Sequence, residues 1–215
     1  MCFSATASFV SAGLTATAGV AALSLAWETR ERPLAAMPLL FALQQASEGV
    51  VWLGLTGPAS AFLTAAPAWL FLLVAEVVWP LYAPAAALLV EPDRNRRRLM
   101  ALAMALGAVV SACLLTGLAK GPPSVRLVDG HIAYSTGQPF SWAVALAYVA
   151  ATTLPLLLSS RRAIALLGLI ILAGSLTSFA LYRAVYQSVW CYFAAAASLV
   201  LLTHFAVRRP KAASA

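Results

Sequence analysis

Two carboxylates stand where an apolar chain has least use for them. In LQQASEGVVWLGL, residues 43 to 55, and again in AEVVWPLY, residues 75 to 82, a glutamate interrupts a hydrophobic run. The first stretch carries Gln44, Gln45, Glu48 and Trp52, and the second carries Glu76 and Trp79. Gln44, Glu48 and Trp52 recur at i, i+4 and i+8, with Gln45 three before Glu48. On a helix, one stripe therefore holds amide, carboxylate and indole. Trp69, Glu76 and Trp79 or Pro80 share a face of the second helix, and Pro80 frees a backbone carbonyl one turn back. Such a carbonyl can serve as a further ligand where it is sheltered from lipid. No basic residue lies within the apolar runs at this depth. Either at least one acid is protonated, then, or a cation completes the site.

The chemistry this permits is the binding or passage of a proton, a cation or a small solute at Glu48 and Glu76. Gln44, Gln45, Trp52 and Trp79 would line the place. The alternative is structural: protonated acids that hydrogen-bond Gln44, Ser47 or Tyr82 and pin two helices together, at about 0.6 kcal/mol a bond. Two thiols offer a second chemistry. Cys2 follows the first Met, and Cys191 opens the last apolar run in SVWCYF. On one oxidising face they could form a disulfide or chelate a soft metal. Otherwise each is a small buried apolar residue. No other cofactor is expected.

These residues need elements to hold them. The chain has 215 residues, 62% hydrophobic and 10% charged, with a mean hydropathy of +0.88. Soluble domains carry about 25% charged residues, so this is an all-α, polytopic membrane bundle. Seven spans are predicted, near 4–27, 34–55, 68–90, 99–119, 140–158, 163–182 and 189–207, each close to the roughly 20 residues that cross a bilayer. Residues 1–207 form one membrane domain and 208–215 a short tail. The first span has no basic leader, so it is expected to stay rather than be cleaved as a signal peptide. Counted from the outer helix ends at 1.5 Å per residue, Glu48 and Glu76 both lie roughly 10–12 Å deep.

Charge sets the orientation. With the N-terminus outside and the C-terminus in the cytoplasm, Arg30, Arg32, Arg94, Arg96, Arg97, Arg98, Arg161, Arg162, Arg208, Arg209 and Lys211 fall inside. Only Lys120, Arg126 and Arg183 stay outside, the asymmetry of the positive-inside rule. Anionic lipid headgroups then account for the net charge of +7, and no nucleic-acid partner is needed. Asp129-Gly130, between alternating apolar residues, predicts a short outer β-hairpin near 125–134 with a type I′ turn. Trp69, Trp142, Trp190, Tyr182 and Tyr186 are expected in the outer aromatic belt.

An internal repeat is also expected. VWPLYAPAAALLV from Val78 parallels VWCYFAAAASLVL from Val189, and the flanking spans pair loosely in the same direction. That suggests two parallel three-helix units joined by the fourth helix. Several chemistries are excluded by composition. A retinal Schiff base needs a lysine in the last span, yet the two lysines, Lys120 and Lys211, lie outside the spans. His131 and His204 are expected on opposite faces, which argues against zinc and paired-histidine haem. Small-residue faces at Ala83, Ala86, Ala87 and Ala194 to Ala197 permit close helix packing, within or between chains, so the oligomeric state is left open.

MCFSATASF, LLFALQQASEGVVWLGL, EVVWPLYAP and SVWCYFAAAASL together resemble an uncharacterised family of bacterial multi-spanning membrane proteins whose chains begin Met-Cys-Phe-Ser. The resemblance implies an integral protein of the bacterial inner membrane and supplies no activity. It places Cys2, Gln45, Glu48, Trp52, Trp79 and Cys191 at the family's motif positions. The three-plus-one-plus-three layout also looks like that of sugar-exporting and PQ-loop transporters, but Gln44-Gln45 stands where a Pro-Gln pair would be wanted, so this is analogy alone.

Overall fold

The computed structural model describes residues 4–57, 61–182 and 185–207. The apolar runs fold into rods: α1 (Ala5–Leu25), the short α2 (Arg32–Ala35), α3 (Met37–Thr56), α4 (Ala61–Leu72) and α5 (Trp79–Val90). Then come α6 (Arg94–Leu118), α7 (Trp142–Leu157), α8 (Arg162–Leu181) and α9 (Tyr186–Val207). A π-helical turn, Leu73–Val78, fuses α4 and α5 into one long element. Among the described residues, six helical segments are long and apolar enough to cross a membrane, the make-up of a multi-pass membrane protein. α7, with 16 residues, is shorter than the span expected there.

Around the bundle, α1 packs on α3, α3 on α4, α5 on α6, α6 on α7, α7 on α8 and α8 on α9, which returns to α1. The ring closes on itself, with α3 touching α9 and α5 touching α7 across it. Local chemistry sets several starts. Ser4, Asp93 and Ser141 each accept a backbone N–H of the first turn they precede, satisfying donors a helix leaves open. The Asp93 cap starts α6 at Arg94, five residues before the predicted edge, so the arginine cluster is helical. α4 likewise begins at Ala61 rather than 68, because alanine's helix propensity carries the chain through Pro67.

Two ends of the bundle differ. At one, β1 (Ser124–Val128) and β2 (His131–Ser135) pair antiparallel, Val128 opposite His131. Asp129 and Gly130 have φ of 48° and 73°, the left-handed pair that a type I′ turn requires. Tyr134 stacks on Phe71 of α4 at 4.7 Å, and Ala133 packs with Val185 and Val189. The hairpin thus lies over the junction of α4 and α9.

At the other end, three connections are laced together. Arg161 pairs with Glu31 at 2.8 Å, and Arg96 donates to the Leu158 carbonyl at 2.7 Å. Glu91, 1% exposed, accepts from the Ser160 N–H at 2.8 Å, the Asp93 N–H at 3.1 Å, and the Ser159 and Ser160 hydroxyls. Burial pushes the Glu91 carboxyl up. The bonds from Ser160, Asp93 and Ser159 outweigh it and hold the group below its ordinary value.

Candidate functional site

The site begins with the π turn. Trp79 N–H bonds to the Val74 carbonyl, five residues back, the mark of one inserted residue. Pro80 has no N–H to give, so the carbonyls before it need other donors. Tyr148 of α7 supplies one to Ala75 O, and Ser111 of α6 supplies another to Val77 O at 2.8 Å. The carbonyl expected as a spare ligand is therefore capped by a tyrosine hydroxyl. On the α6 side the fit is close: a Cβ built on Gly107 would lie 1.9 Å from Pro80 O. Glu76 sits within this braced turn, 8% exposed. The inserted residue also corrects the predicted face, for Trp69 turns outward, 39% exposed, while Trp79 is buried.

α3 supplies the facing stripe. Gln44, Gln45 and Glu48 are fully buried, and Trp52 nearly so. Gln44 is held at both ends of its amide. Its Oε1 accepts from Trp79 Nε1 at 2.6 Å, and its Nε2 donates to Cys191 Sγ at 3.5 Å. Phe41 stacks on the Trp79 indole at 4.2 Å and fixes that ring.

The first turn of α9 brings the acids together. Gln187 Nε2 donates to Glu76 Oε1 at 2.7 Å, and the Ser188 hydroxyl donates to Glu48 Oε1. Consecutive residues of one helix thus hold one carboxylate each. The last span is predicted to open at 189, yet α9 starts at Tyr186, so Gln187 and Ser188 are helical. Gln187, Ser188 and Tyr148 are the site residues that the sequence reading missed. Their signal was polarity beside an apolar run, at a boundary that one turn of helix moves inward.

Among the described residues, several polar atoms in this region have no hydrogen-bond partner: both amide atoms of Gln45, Trp52 Nε1, Glu76 Oε2 and Trp190 Nε1. Buried polar groups are normally satisfied, which sets these atoms apart from the rest of the core. Trp190 is a core residue, 4% exposed, rather than a member of the outer belt. It stacks on Tyr186 and meets Tyr148 edge-on at 5.5 Å. Trp79 and Trp190 both border a cavity of about 20 Å³ that also touches Ala83, Thr152, Ala194 and Ser198.

Cys191 is a free thiol, fully buried. Cys2, its expected partner, lies outside the described residues. Among the described residues no group of three or more His, Cys, Asp or Glu converges in a way that could hold a metal. The geometry thus joins Gln44, Glu48, Glu76, Trp79 and Cys191, and leaves Gln45 and Trp52 nearby with atoms to spare.

A family model described as a family of unknown function (DUF6629) matches residues 1–215. No curated protein matches the chain, and no solved structure does.

Proposed function

The chain belongs to that family of unknown function, and from its own geometry we infer that it is a multi-pass protein of the bacterial inner membrane that binds and passes on a proton or small cation at Glu48 and Glu76. The observation that carries this reading is the convergence of two buried carboxylates on Gln187 and Ser188, adjacent residues of α9. An ionisable residue inside a bilayer costs about 2.5–3.5 kcal/mol near a helix centre. Two brought to one turn need a use or a strong structural reason. The cavity bordered by Trp79 and Trp190 holds only about 20 Å³ and is lined by neither acid, which leaves no room there for a sugar or amino acid in this conformation.

In this reading the hairpin faces outside and the arginine-rich connections face the cytoplasm, as the charge asymmetry favours. Two three-helix units joined by α6 are part of it. Support comes from the paired motifs: Trp79 and Ala83 in one, Trp190 and Ala194 in the other, all border the same cavity.

The test is proton or cation flux into proteoliposomes, read with an internal pH- or ion-sensitive dye. E48Q and E76Q should each abolish flux while leaving the melting temperature in detergent within a few degrees. A second reading has its own support, since the same two bonds tie α9 to α3 and to the π turn. If both variants lower the melting temperature and wild-type protein moves no ion, the acids are structural and the chain is a sensor or scaffold.

A further inference from the structure

Four consecutive residues of β2, His131 to Tyr134, are buried. Neighbouring side chains of a strand point to opposite faces, so β2 is covered on both. A hairpin resting on a surface would bury one face only. In β1, by contrast, Ser124, Arg126 and Leu127 are exposed. β2 is therefore wedged into the end of the bundle, with β1 as its rim. Tyr134 stacks on Phe71 of α4, and His131 meets Tyr182 at the end of α8 edge-on at 5.4 Å. Ala133 packs with Val185 and Val189, and Ile132 joins the main apolar core. The acids lie next to these contacts. Val185 and Val189 bracket Gln187 and Ser188, which hold Glu76 and Glu48. Phe71 precedes Glu76 by five residues, roughly 7 Å of helix.

We propose that the β1–β2 hairpin is a movable plug, which closes this end of the bundle over Glu48 and Glu76 and swings out as a unit on Gly121 and Gly137 to expose them. Both ends of the hairpin are built for that motion. Gly121 before β1 and Gly137 after β2 have φ of 152° and 72°, and a Cβ on either would meet nothing within 4 Å. Glycine reaches such φ without steric penalty, and no neighbour packs against these two. Directly past Gly137, Gln138 Nε2 donates to Thr116 Oγ1 at 2.8 Å and to the Cys113 carbonyl at 3.2 Å. A hinge and an anchor on α6 are thus consecutive residues. The hairpin keeps its own ladder, from Ser124 opposite Ser135 to Val128 opposite His131, in either position. Opening therefore has to part β2 only from Phe71, Tyr182, Val185, Val189 and the core beside Ile132. Admission of an ion by this motion rests on the proposed passage of a proton or cation; the plug stands without it.

The experiment uses full-length protein in lipid nanodiscs with C2S and C113S, so that Cys191 is the remaining thiol. Cys191 is fully buried, one turn past Ser188, and bonded to Gln44. Its reaction with a charged, water-soluble methanethiosulfonate therefore reports opening beside the acids. Y134A removes the ring that stacks on Phe71 and should speed labelling about tenfold, the change in open population that losing such a ring pair brings. F71L breaks the same stack from the bundle side and should act alike, whereas Y134F keeps the ring and should label like the parent. E91A loosens the opposite end and should leave the rate unchanged. Equal rates in the parent, Y134A and F71L overturn the proposal. An acceleration in E91A as large as in Y134A also overturns it, because that reports general loosening. Melting temperatures in detergent identify a variant that fails to fold, and F71L decides if Y134A is that variant. Ion flux is measured apart. Labelling that follows the plug, with no flux in wild type, removes the proton or cation reading and leaves the plug. Flux with labelling indifferent to Y134A and F71L removes the plug and leaves that reading.

Discussion

Two pairs of buried glutamates sit in this bundle, and they are served differently. At the arginine end, Glu31 meets a guanidinium and Glu91 collects two backbone N–H groups and two hydroxyls. Inside, Glu76 accepts one bond from a neutral amide and keeps an unengaged oxygen, while Glu48 accepts from a serine hydroxyl. Glu91 has close to the full set of donors a carboxylate can use, as expected of a group that stays ionised and locks a turn. Glu76 is held at one oxygen only, as the proposed exchange of a proton or cation would require. Residue type and burial are shared, so the set of donors is what distinguishes the two pairs.

The largest effect should come from the brace that fixes Glu76. G107A drives a Cβ into the Pro80 carbonyl, a backbone atom that cannot rotate away, and should cost about 3 kcal/mol, read as a lower melting temperature in detergent. Next, E91A should cost about 2 kcal/mol by orphaning the Ser160 and Asp93 N–H groups. If it is silent, the arginine-end lock is not structural and the comparison collapses. Y148F should cost about 1–2 kcal/mol because the Ala75 carbonyl loses its donor in a dry place. It should also reduce flux by loosening the π turn.

The smallest effect on stability should be E76Q, under about 1 kcal/mol for a near-isosteric change, with flux abolished all the same. A stability loss as large as that of E91A would erase the contrast between the pairs. A pH series sharpens it further. Glu91 is held below its ordinary value of 4.5, so its contribution is present above that value. It is lost as pH falls through the lower folded value. Melting temperatures should therefore drop below pH 4.5 in wild type, and that drop should flatten in E91Q.

Much of this was legible in the residues. Asp129-Gly130 announced its turn, because only a pair tolerant of positive φ closes a two-residue hairpin. Glu48 and Gln44 announced a buried polar stripe, because apolar runs do not carry such groups idly. What could not be read were the partners. Gln187 lies 111 residues beyond Glu76, and Ser188 lies 140 beyond Glu48, so tertiary packing alone joins them. The π turn was equally hidden. One inserted residue leaves no mark on composition, yet it turned Trp69 to the outside and placed Tyr148 where a free carbonyl was expected.

The shortness of α7 reaches beyond the protein. Its 16 residues rise only about 24 Å, against a hydrocarbon core of about 30 Å. Leu146 and Leu154 face away from the bundle and are exposed, and Trp142 marks the hairpin-side end of the helix. A span this short is met by local thinning of the bilayer, by snorkelling of flanking side chains or by a second copy of the chain. A dimple there would bring headgroups and their water several ångströms nearer the centre on one flank only, making the surrounding lipid thinnest beside the helix that carries Tyr148.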